Sequence, residues 1–157
     1  MQPLPHHYRV TAAIDERSNV ELASSGLMPI TSAPPAEFGG PGNLWSPETL
    51  LVAAVADCFV LTFRSIATAS RLEWTKIVCE GTGKLERLES ITRFTGIDLY
   101  VRLGVPTEAA AERARALLAK TEKACLVTNS LGFGVTLQSE VEVETNNLSD
   151  AFALTMR

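Results

Sequence analysis

The sequence has few residues that bind metal ions. Its only histidines are the adjacent His6 and His7, and its three cysteines form no C-x-x-C pair. Structural zinc sites use closely spaced Cys and His ligands, so the spacing here fits no zinc motif. We therefore expect no metal centre, and the thiols become candidates either for packing or for redox chemistry.

The sequence also lacks excess positive charge, a leader peptide and a membrane-length apolar run. The net charge is −4 and the basic residues are scattered, which argues against nucleic acid as a partner. The N-terminal MQPLPHHYRV has no signal-peptide pattern. The longest strongly apolar run, Leu50 to Phe63, is too short to span a bilayer and contains Asp57. We expect a cytoplasmic protein without a membrane partner, whose thiols stay reduced.

Alternating apolar residues predict strands, and a 3.6-residue period predicts two main helices, in one domain that covers residues 1–157. The predicted strands cover residues 8–14, 20–24, 74–88, 91–105 and 135–144. The first helix should begin with Ser46 as its cap and Pro47 at its first position, and should end near Ser70. Long strands separated by unlike helices, without a regular βαβ repeat, indicate an α+β fold.

Local sequence also assigns the connecting segments. Residues 29–42 are rich in Pro and Gly and predict a loop. Thr107 should cap the second helix, which we expect to break or bend near Thr121, so that a short new helix carries Cys125. The residues expected on the buried stripe of the second helix are Ala110, Ala114, Leu117, Leu118 and Ala124. Residues 146–157 show no clear pattern.

The first helix is apolar nearly all round from Leu50 to Phe63. A helix of this kind is covered on every side, and a domain of this size can hardly enclose it with its own chain. We therefore expect a homodimer in which a second subunit covers the remaining face of this helix.

Two of the cysteines lie in segments that are similar to those of a known family. The segment EFGGPGNLWSPETLLVAAVADCF resembles the first-cysteine region of the OsmC/Ohr proteins, the osmotically inducible and organic hydroperoxide resistance proteins. There a Gly-rich loop leads into an S-P-E helix start, and the cysteine follows ten residues after the glutamate, as Cys58 follows Glu48 here. The segment TEKACLVTNSL resembles the second-cysteine motif, with Thr128 three residues after Cys125.

The resemblance extends over most of the chain, from about Tyr8 to Glu144. Arg17 falls in the hairpin turn that holds the family's catalytic arginine, nine residues before Gly26. Three features depart from the family pattern. Leu126 follows the second cysteine where many members have proline, and Asp57 precedes the first where small neutral residues are common in the hydroperoxide-resistance branch. The loop before the first helix carries Pro34-Pro35. These departures leave open the branch of the family and the peroxide that it prefers.

The resemblance implies an OsmC-like fold, with antiparallel strands packed on two main helices in an intertwined homodimer. It also implies thiol peroxidase chemistry without a cofactor. Cys58 would attack a hydroperoxide and become a sulfenic acid, and Cys125 would condense with it to a disulfide. An external dithiol, a lipoyl group in the family, would then reduce that disulfide.

The properties of the residues themselves also call for a cation that activates Cys58. Cys58 lies far from the N-terminus of its helix, so the helix dipole does little to lower its pKa, and burial would raise it. A guanidinium is the natural remedy, and Arg17 is the candidate, held by a bidentate contact with Glu48. Cys79, in a predicted strand, is expected to be structural. The alternative is a non-catalytic protein of the same fold that binds or senses a small apolar or oxidising ligand.

Overall fold

The computed structural model describes residues 2–144, which belong to two compact units that meet in the chain between Leu51 and Val52. The predicted pattern-free segment 146–157 lies outside the described residues, and the single domain expected from the sequence stays a prediction. In chain order the elements are β1 (Thr11–Ala13), β2 (Val20–Ala23), β3 (Ile30–Ser32), α1 (Pro47–Ala69), β4 (Lys76–Leu88), β5 (Ile91–Val105), α2 (Glu108–Ala124) and β6 (Gly134–Val143).

The first unit contains a small antiparallel sheet in the order β1-β2-β3. The predicted hairpin forms, with Thr11 opposite Ala23, and β3 then pairs with β2, with Ile30 opposite Leu22. Strand β3 falls inside the segment that the sequence predicted to be a loop. It has only three residues and is followed by the Pro-rich segment, so its sequence carries too little alternation to predict a strand.

Helix α1 begins where its local sequence predicts. The amide of Thr49 donates to Ser46 Oγ at 3.2 Å, and the amide of Ser46 donates to Thr49 Oγ1 at 2.8 Å. This reciprocal pair satisfies two amides that the first helical turn leaves free. Pro47 is the first helical residue, where its missing N–H costs nothing, and the helix ends at Ala69.

Only one stripe of α1 is buried. Its residues lie one helical turn apart: Val55, Phe59, Phe63 and Ala67. By length and composition alone α1 is long and apolar enough to cross a membrane, which corrects the expectation from the sequence. Its buried stripe packs in the same core as the second sheet. Two glycines of β4 allow the helix to come close, because a Cβ at Gly83 would lie 2.7 Å from Val52 Cγ2.

The second unit contains a three-stranded sheet in the order β4-β5-β6. β4 and β5 form a long antiparallel hairpin, from Lys76 opposite Gly104 to Leu88 opposite Ile91. The core face of the central strand carries alternate residues that are almost fully buried: Ile97, Leu99, Val101, Leu103 and Val105. This period of two is the one that predicted the strand, and the α+β fold is confirmed.

Strand β6 corrects the expectation of antiparallel strands. It pairs with β5 in parallel, from Gly96 opposite Gly134 to Val105 opposite Val143. The reason is α2, which connects the two strands: a crossover helix returns the chain to the end of the sheet from which it started, so the next strand runs in the same direction. One βαβ unit therefore lies within the α+β fold.

Helix α2 is capped as predicted but does not break. Thr107 Oγ1 accepts from the amide of Ala110 at 3.1 Å. The predicted break near Thr121 is wrong, because the Thr121 hydroxyl donates to the carbonyl of Leu117 at 2.8 Å and needs no gap in the helix. The residues buried on α2 are Ala110, Ala111, Ala114, Leu118 and Thr121, whereas Leu117 is half-buried and Ala124 is exposed. Thr121 occupies the place on the stripe that the sequence assigned to Ala124.

Candidate redox site

Cys58 lies in the middle of α1, next to the buried stripe. Its neighbour Phe59 is buried, whereas Asp57 is exposed. Cys58 is partly exposed as a residue, and the Thr62 hydroxyl lies 3.9 Å from its sulfur, one helical turn further on.

Cys125 is the first residue after α2 and only 1% exposed. The short helix expected to carry it does not form. Instead, the carbonyl of Cys125 accepts from the amide of Asn129 at 3.0 Å, and a 3₁₀ turn follows over Thr128–Ser130. The Asn129 side chain also donates to the carbonyl of Lys123 at 3.1 Å. These bonds fix the turn at the point where α2 ends, and the sulfur with it.

The structure brings the two thiols together. The thiols of Cys58 and Cys125 lie close enough for each to shift the pKa of the other, and both cysteines are free. Hydrogen bonding by the Val127 amide acts to lower the pKa of both thiols, and the side chain and amide of Thr128 act to lower the pKa of Cys125. Two of the four predicted site residues are thus neighbours in the fold.

The hydrogen bonds give the two thiols different acidities. Burial, and then the hydrogen bond with Cys125, raises the pKa of Cys58 above its ordinary value. Burial also acts to raise the pKa of Cys125, but the hydrogen bonds from Cys58, Thr128 and the Val127 amide outweigh it and lower the pKa.

Glu48 lies in the first turn of α1, on the same helix as Cys58. Its Oε2 atom is buried and has no hydrogen-bond partner among the described residues. A buried carboxylate oxygen without a donor costs free energy, because it has lost its water and gained nothing. Such an oxygen is suited to accept a hydrogen bond from a cationic side chain.

Arg17 lies in the turn between β1 and β2, as the sequence predicted. Its amide donates to Asp15 Oδ1 at 3.1 Å, and the Ser18 amide donates to the carbonyl of Asp15 at 3.3 Å. The side chain is exposed and forms no ion pair within its own unit. Arg17 belongs to the first unit and Cys58 to the second, so its predicted role stays a prediction.

Cys79 is the third thiol. It lies on the core side of β4, opposite Val101, and packs against the core. Burial, followed by the negative charge of Cys125 and that of Glu80, raises the pKa of Cys79 to about 11. Cys79 is therefore the thiol least able to form a thiolate near neutral pH, although it lies close enough to Cys125 for the two charges to interact.

The sequence did not predict two groups that act on the thiols, the Thr62 hydroxyl and the Val127 amide. Thr62 follows Cys58 by four residues, and this spacing on a predicted helix was a usable signal. The amide of Val127 carried no signal, since every non-proline residue has one and only the turn after α2 aims this one at the sulfurs. Among residues 2–144, no group of three or more His, Cys, Asp and Glu side chains is arranged to hold a metal ion.

A family model described as OsmC-like protein matches residues 40–140. The chain belongs to the OsmC-like protein family. The match includes Glu48, Cys58, Cys125 and Thr128, and it leaves out Arg17. The family assigned from the two cysteine segments is confirmed.

Relatives and solved structures agree with this assignment. YmaD of Bacillus subtilis, an uncharacterised protein, is 24% identical over 143 residues, which cover 88% of this chain and 95% of YmaD. An OsmC-like protein of unknown function from Vibrio cholerae superposes with a TM-score of 0.78 at 16% identity, covering 87% of this chain and 100% of the other, and shows the fold.

A structure from Legionella pneumophila is described as an organic hydroperoxide resistance protein OsmC, a predicted redox protein. It is 25% identical with a TM-score of 0.68, covering 88% of this chain and 100% of the other. The OsmC-like family thus includes neighbours named for hydroperoxide resistance, which relates this protein to the response to oxidative stress.

Proposed function

We propose that this OsmC-like protein is a cysteine-based thiol peroxidase that reduces organic hydroperoxides. One observation carries the proposal: two free cysteines distant in sequence, Cys58 and Cys125, lie close enough in the fold for each to shift the pKa of the other. A sulfenic acid formed on one of them has the other thiol beside it, as formation of a disulfide requires.

The proposed reaction has two oxidative steps. The Cys58 thiolate attacks the terminal oxygen of ROOH, the O–O bond breaks, and ROH leaves with a proton while Cys58 becomes a sulfenic acid. Cys125 then attacks the Cys58 sulfur and water leaves, so that a Cys58–Cys125 disulfide forms. Cys58 takes the first role because the residue is partly exposed, whereas Cys125 is only 1% exposed.

Activation of Cys58 requires a cation. Burial, and then the neighbouring Cys125 thiol, raises the pKa of Cys58 rather than lowering it. The guanidinium of Arg17 is proposed to reverse this by stabilising the Cys58 thiolate, and Glu48 is proposed to orient the guanidinium. The buried and unpartnered Oε2 atom of Glu48 supports this role, because it lacks the donor that a guanidinium would supply.

A homodimer is part of the proposal. Several large apolar side chains of the first unit are open to solvent: Tyr8, Val10, Ile14, Leu27 and Met28. On α1, Leu61 is 44% exposed although it lies one turn after Cys58. Exposed apolar surface on this scale marks an interface, and an intertwined second copy would cover it.

The reductant, the cofactor requirement and the cellular location complete the proposed function. The disulfide would be reduced by an external dithiol of the lipoyl type, and no cofactor would be bound. A cytoplasmic location fits, because the two cysteines would then be reduced between turnovers. The buried stripe of α1 supports a core helix rather than a membrane span.

The alternative function is a non-catalytic OsmC-like protein that binds or senses a small apolar or oxidising ligand. The raised pKa of Cys58 favours it, because a protonated thiol is a poor nucleophile. The two functions differ in a simple titration of free thiols after the reduced protein is mixed with cumene hydroperoxide. A peroxidase loses two thiols per chain within seconds and releases the alcohol, and a Cys79→Ser variant does the same. If the thiols persist, the peroxidase proposal is wrong.

A further inference from the structure

We infer that two copies of this chain pair through α1 in antiparallel orientation, and that Asp57 of each chain forms an ion pair with Arg64 of the partner subunit. This inference rests on the homodimer of the proposed function and adds the surface, the orientation and the contacts of the association. Two properties of α1 carry it: the spacing of its exposed residues and the signs of their charges.

The exposed residues of α1 form a stripe nearly opposite the side that faces the core. The core side carries Val55, Phe59, Phe63 and Ala67. The solvent side carries exposed residues that are alternately three and four positions apart: Ala54, Asp57, Leu61, Arg64 and Thr68. This alternation is the spacing that brings residues to one face of a helix and that pairs of packed helices use at their contact.

Asp57 and Arg64 form no ion pair among residues 2–144. On α1 itself, a partner would have to lie three or four residues away, and these positions around both side chains hold only Ala, Val, Leu and Thr. The two charges are too far apart to pair with each other, because seven residues of helix span about 10.5 Å along the axis. The stripe therefore offers one acid and one base to another chain.

The stripe is complementary to a second copy of itself. In an antiparallel pair of α1 helices whose twofold axis passes midway between Asp57 and Arg64, each Asp57 lies opposite an Arg64. Leu61, which is 44% exposed in the single chain, then lies beside the axis at the centre of the contact. A parallel pair would place Asp57 against Asp57 and Arg64 against Arg64, and like charges across an interface oppose association. The charges therefore select the antiparallel orientation.

The proposed ion pair accounts for the charge that directly precedes Cys58 on an apolar helix. Covering Asp57 in an interface without a partner would cost free energy, because its carboxylate would lose water and gain nothing. Arg64 of the partner subunit supplies the opposite charge, with donors that fit a carboxylate. By symmetry the contact occurs twice, so each substitution changes two contacts in a homodimer.

Charge reversal tests the pairing. Asp57→Arg leaves two basic residues on the stripe and Arg64→Asp leaves two acidic ones, so each variant homodimer has like charges at both contacts, whereas the mixed dimer has opposite charges at both. Differently tagged chains are unfolded in urea, refolded together and analysed by native mass spectrometry. Random pairing makes half of the dimers mixed, and we expect the ratio of mixed dimer to homodimers to exceed the random ratio by about tenfold or more.

A matched pair of variants on α2 provides the control. Arg115→Asp and Glu122→Arg also reverse two opposite charges seven residues apart, and these chains should mix at random. A chain that carries both α1 reversals should again form a homodimer and should exclude wild-type chains. The proposal is overturned if the α1 variants mix at random, or if neither the mixed dimer nor the dimer of the doubly reversed chain forms.

The outcome is separable from the proposed function. Random mixing of α1 variants, with a wild-type protein that sediments as a dimer, would overturn the α1 pairing and leave the homodimer standing. A wild-type monomer would overturn both. The loss of two thiols per chain on addition of cumene hydroperoxide is measured on the wild type alone, and it tests the peroxidase chemistry whichever way the chains pair.

Discussion

The thiols of Cys58, in the middle of α1, and of Cys125, the first residue after α2, lie close enough to shift each other's pKa. Both residues belong to the second unit, and both helices contribute to its core. A disulfide between them would link the middle of α1 to the end of α2.

This contact predicts a specific cross-link. Treatment of the protein with an organic hydroperoxide should produce a disulfide between Cys58 and Cys125, with Cα atoms within about 7 Å in the oxidised form. Mass spectrometry of a non-reducing digest would identify the linked peptides, and Cys58→Ser should abolish the link. A peptide that joins Cys79 to either cysteine in the wild-type protein would contradict the assignment.

Arg17 is expected to be the activating cation. Arg17→Ala should slow oxidation of Cys58 by several powers of ten and leave the fold intact, because the raised pKa of Cys58 is then no longer offset. Glu48→Ala should slow it less, because it removes only the group that orients the guanidinium.

The measurement is the pH dependence of single-turnover oxidation, with circular dichroism as the control for folding. If the pH profiles of the oxidation rate in wild type and Arg17→Ala have the same midpoint and the same plateau, a group other than Arg17 activates Cys58.

The exposed apolar residues of the first unit and of α1 predict an obligate homodimer. Its interface should bury more than roughly 2,000 Å², as obligate interfaces do. Sedimentation equilibrium at micromolar concentration should give twice the chain mass, and Leu61→Glu should weaken the association by placing a charge in the covered face. A wild-type monomer at that concentration is incompatible with this prediction.

The close approach of α1 to β4 predicts a sensitive glycine. Gly83→Ala would place a Cβ 2.7 Å from both Val52 Cγ2 and the Phe94 ring, and overpacking of this kind costs about 1–3 kcal/mol in the free energy of unfolding. Gly134→Ala, at a β6 position with nothing within 4 Å, is the matched control and should change stability little. Urea unfolding of both variants provides the measurement, and equal midpoints would show that the helix can move away.

The pKa of Cys79 predicts a pH effect on stability. Burial raises this pKa from its ordinary value of 9.0 to about 11, so between these values the unfolded chain loses the proton and the folded chain keeps it. The contribution to stability is complete below pH 9 and is lost as the pH rises through 11. Wild type should therefore lose more stability than Cys79→Val over this range in urea unfolding, and parallel profiles would show that Cys79 has no such shift.

Local chemistry in the sequence was sufficient for most element boundaries. Ser46 and Pro47 define the start of α1 because a cap and a proline act within one helical turn. β5 is found at the predicted residues 91–105 because its alternation is long and regular. The two cysteine segments also identified the family before any coordinates, since the spacing of Glu48 to Cys58 is a property of the chain itself.

The tertiary structure decided the features that depend on contacts distant in sequence. The parallel pairing of β6 follows from the path of α2 across the sheet, and the placement of Cys125 after α2 follows from the turn that Asn129 holds. The acidity of the two thiols was also undetermined by sequence. It depends on burial and on the groups that folding brings to each sulfur: the Val127 amide acts on the pKa of both thiols, and Thr128 acts on that of Cys125.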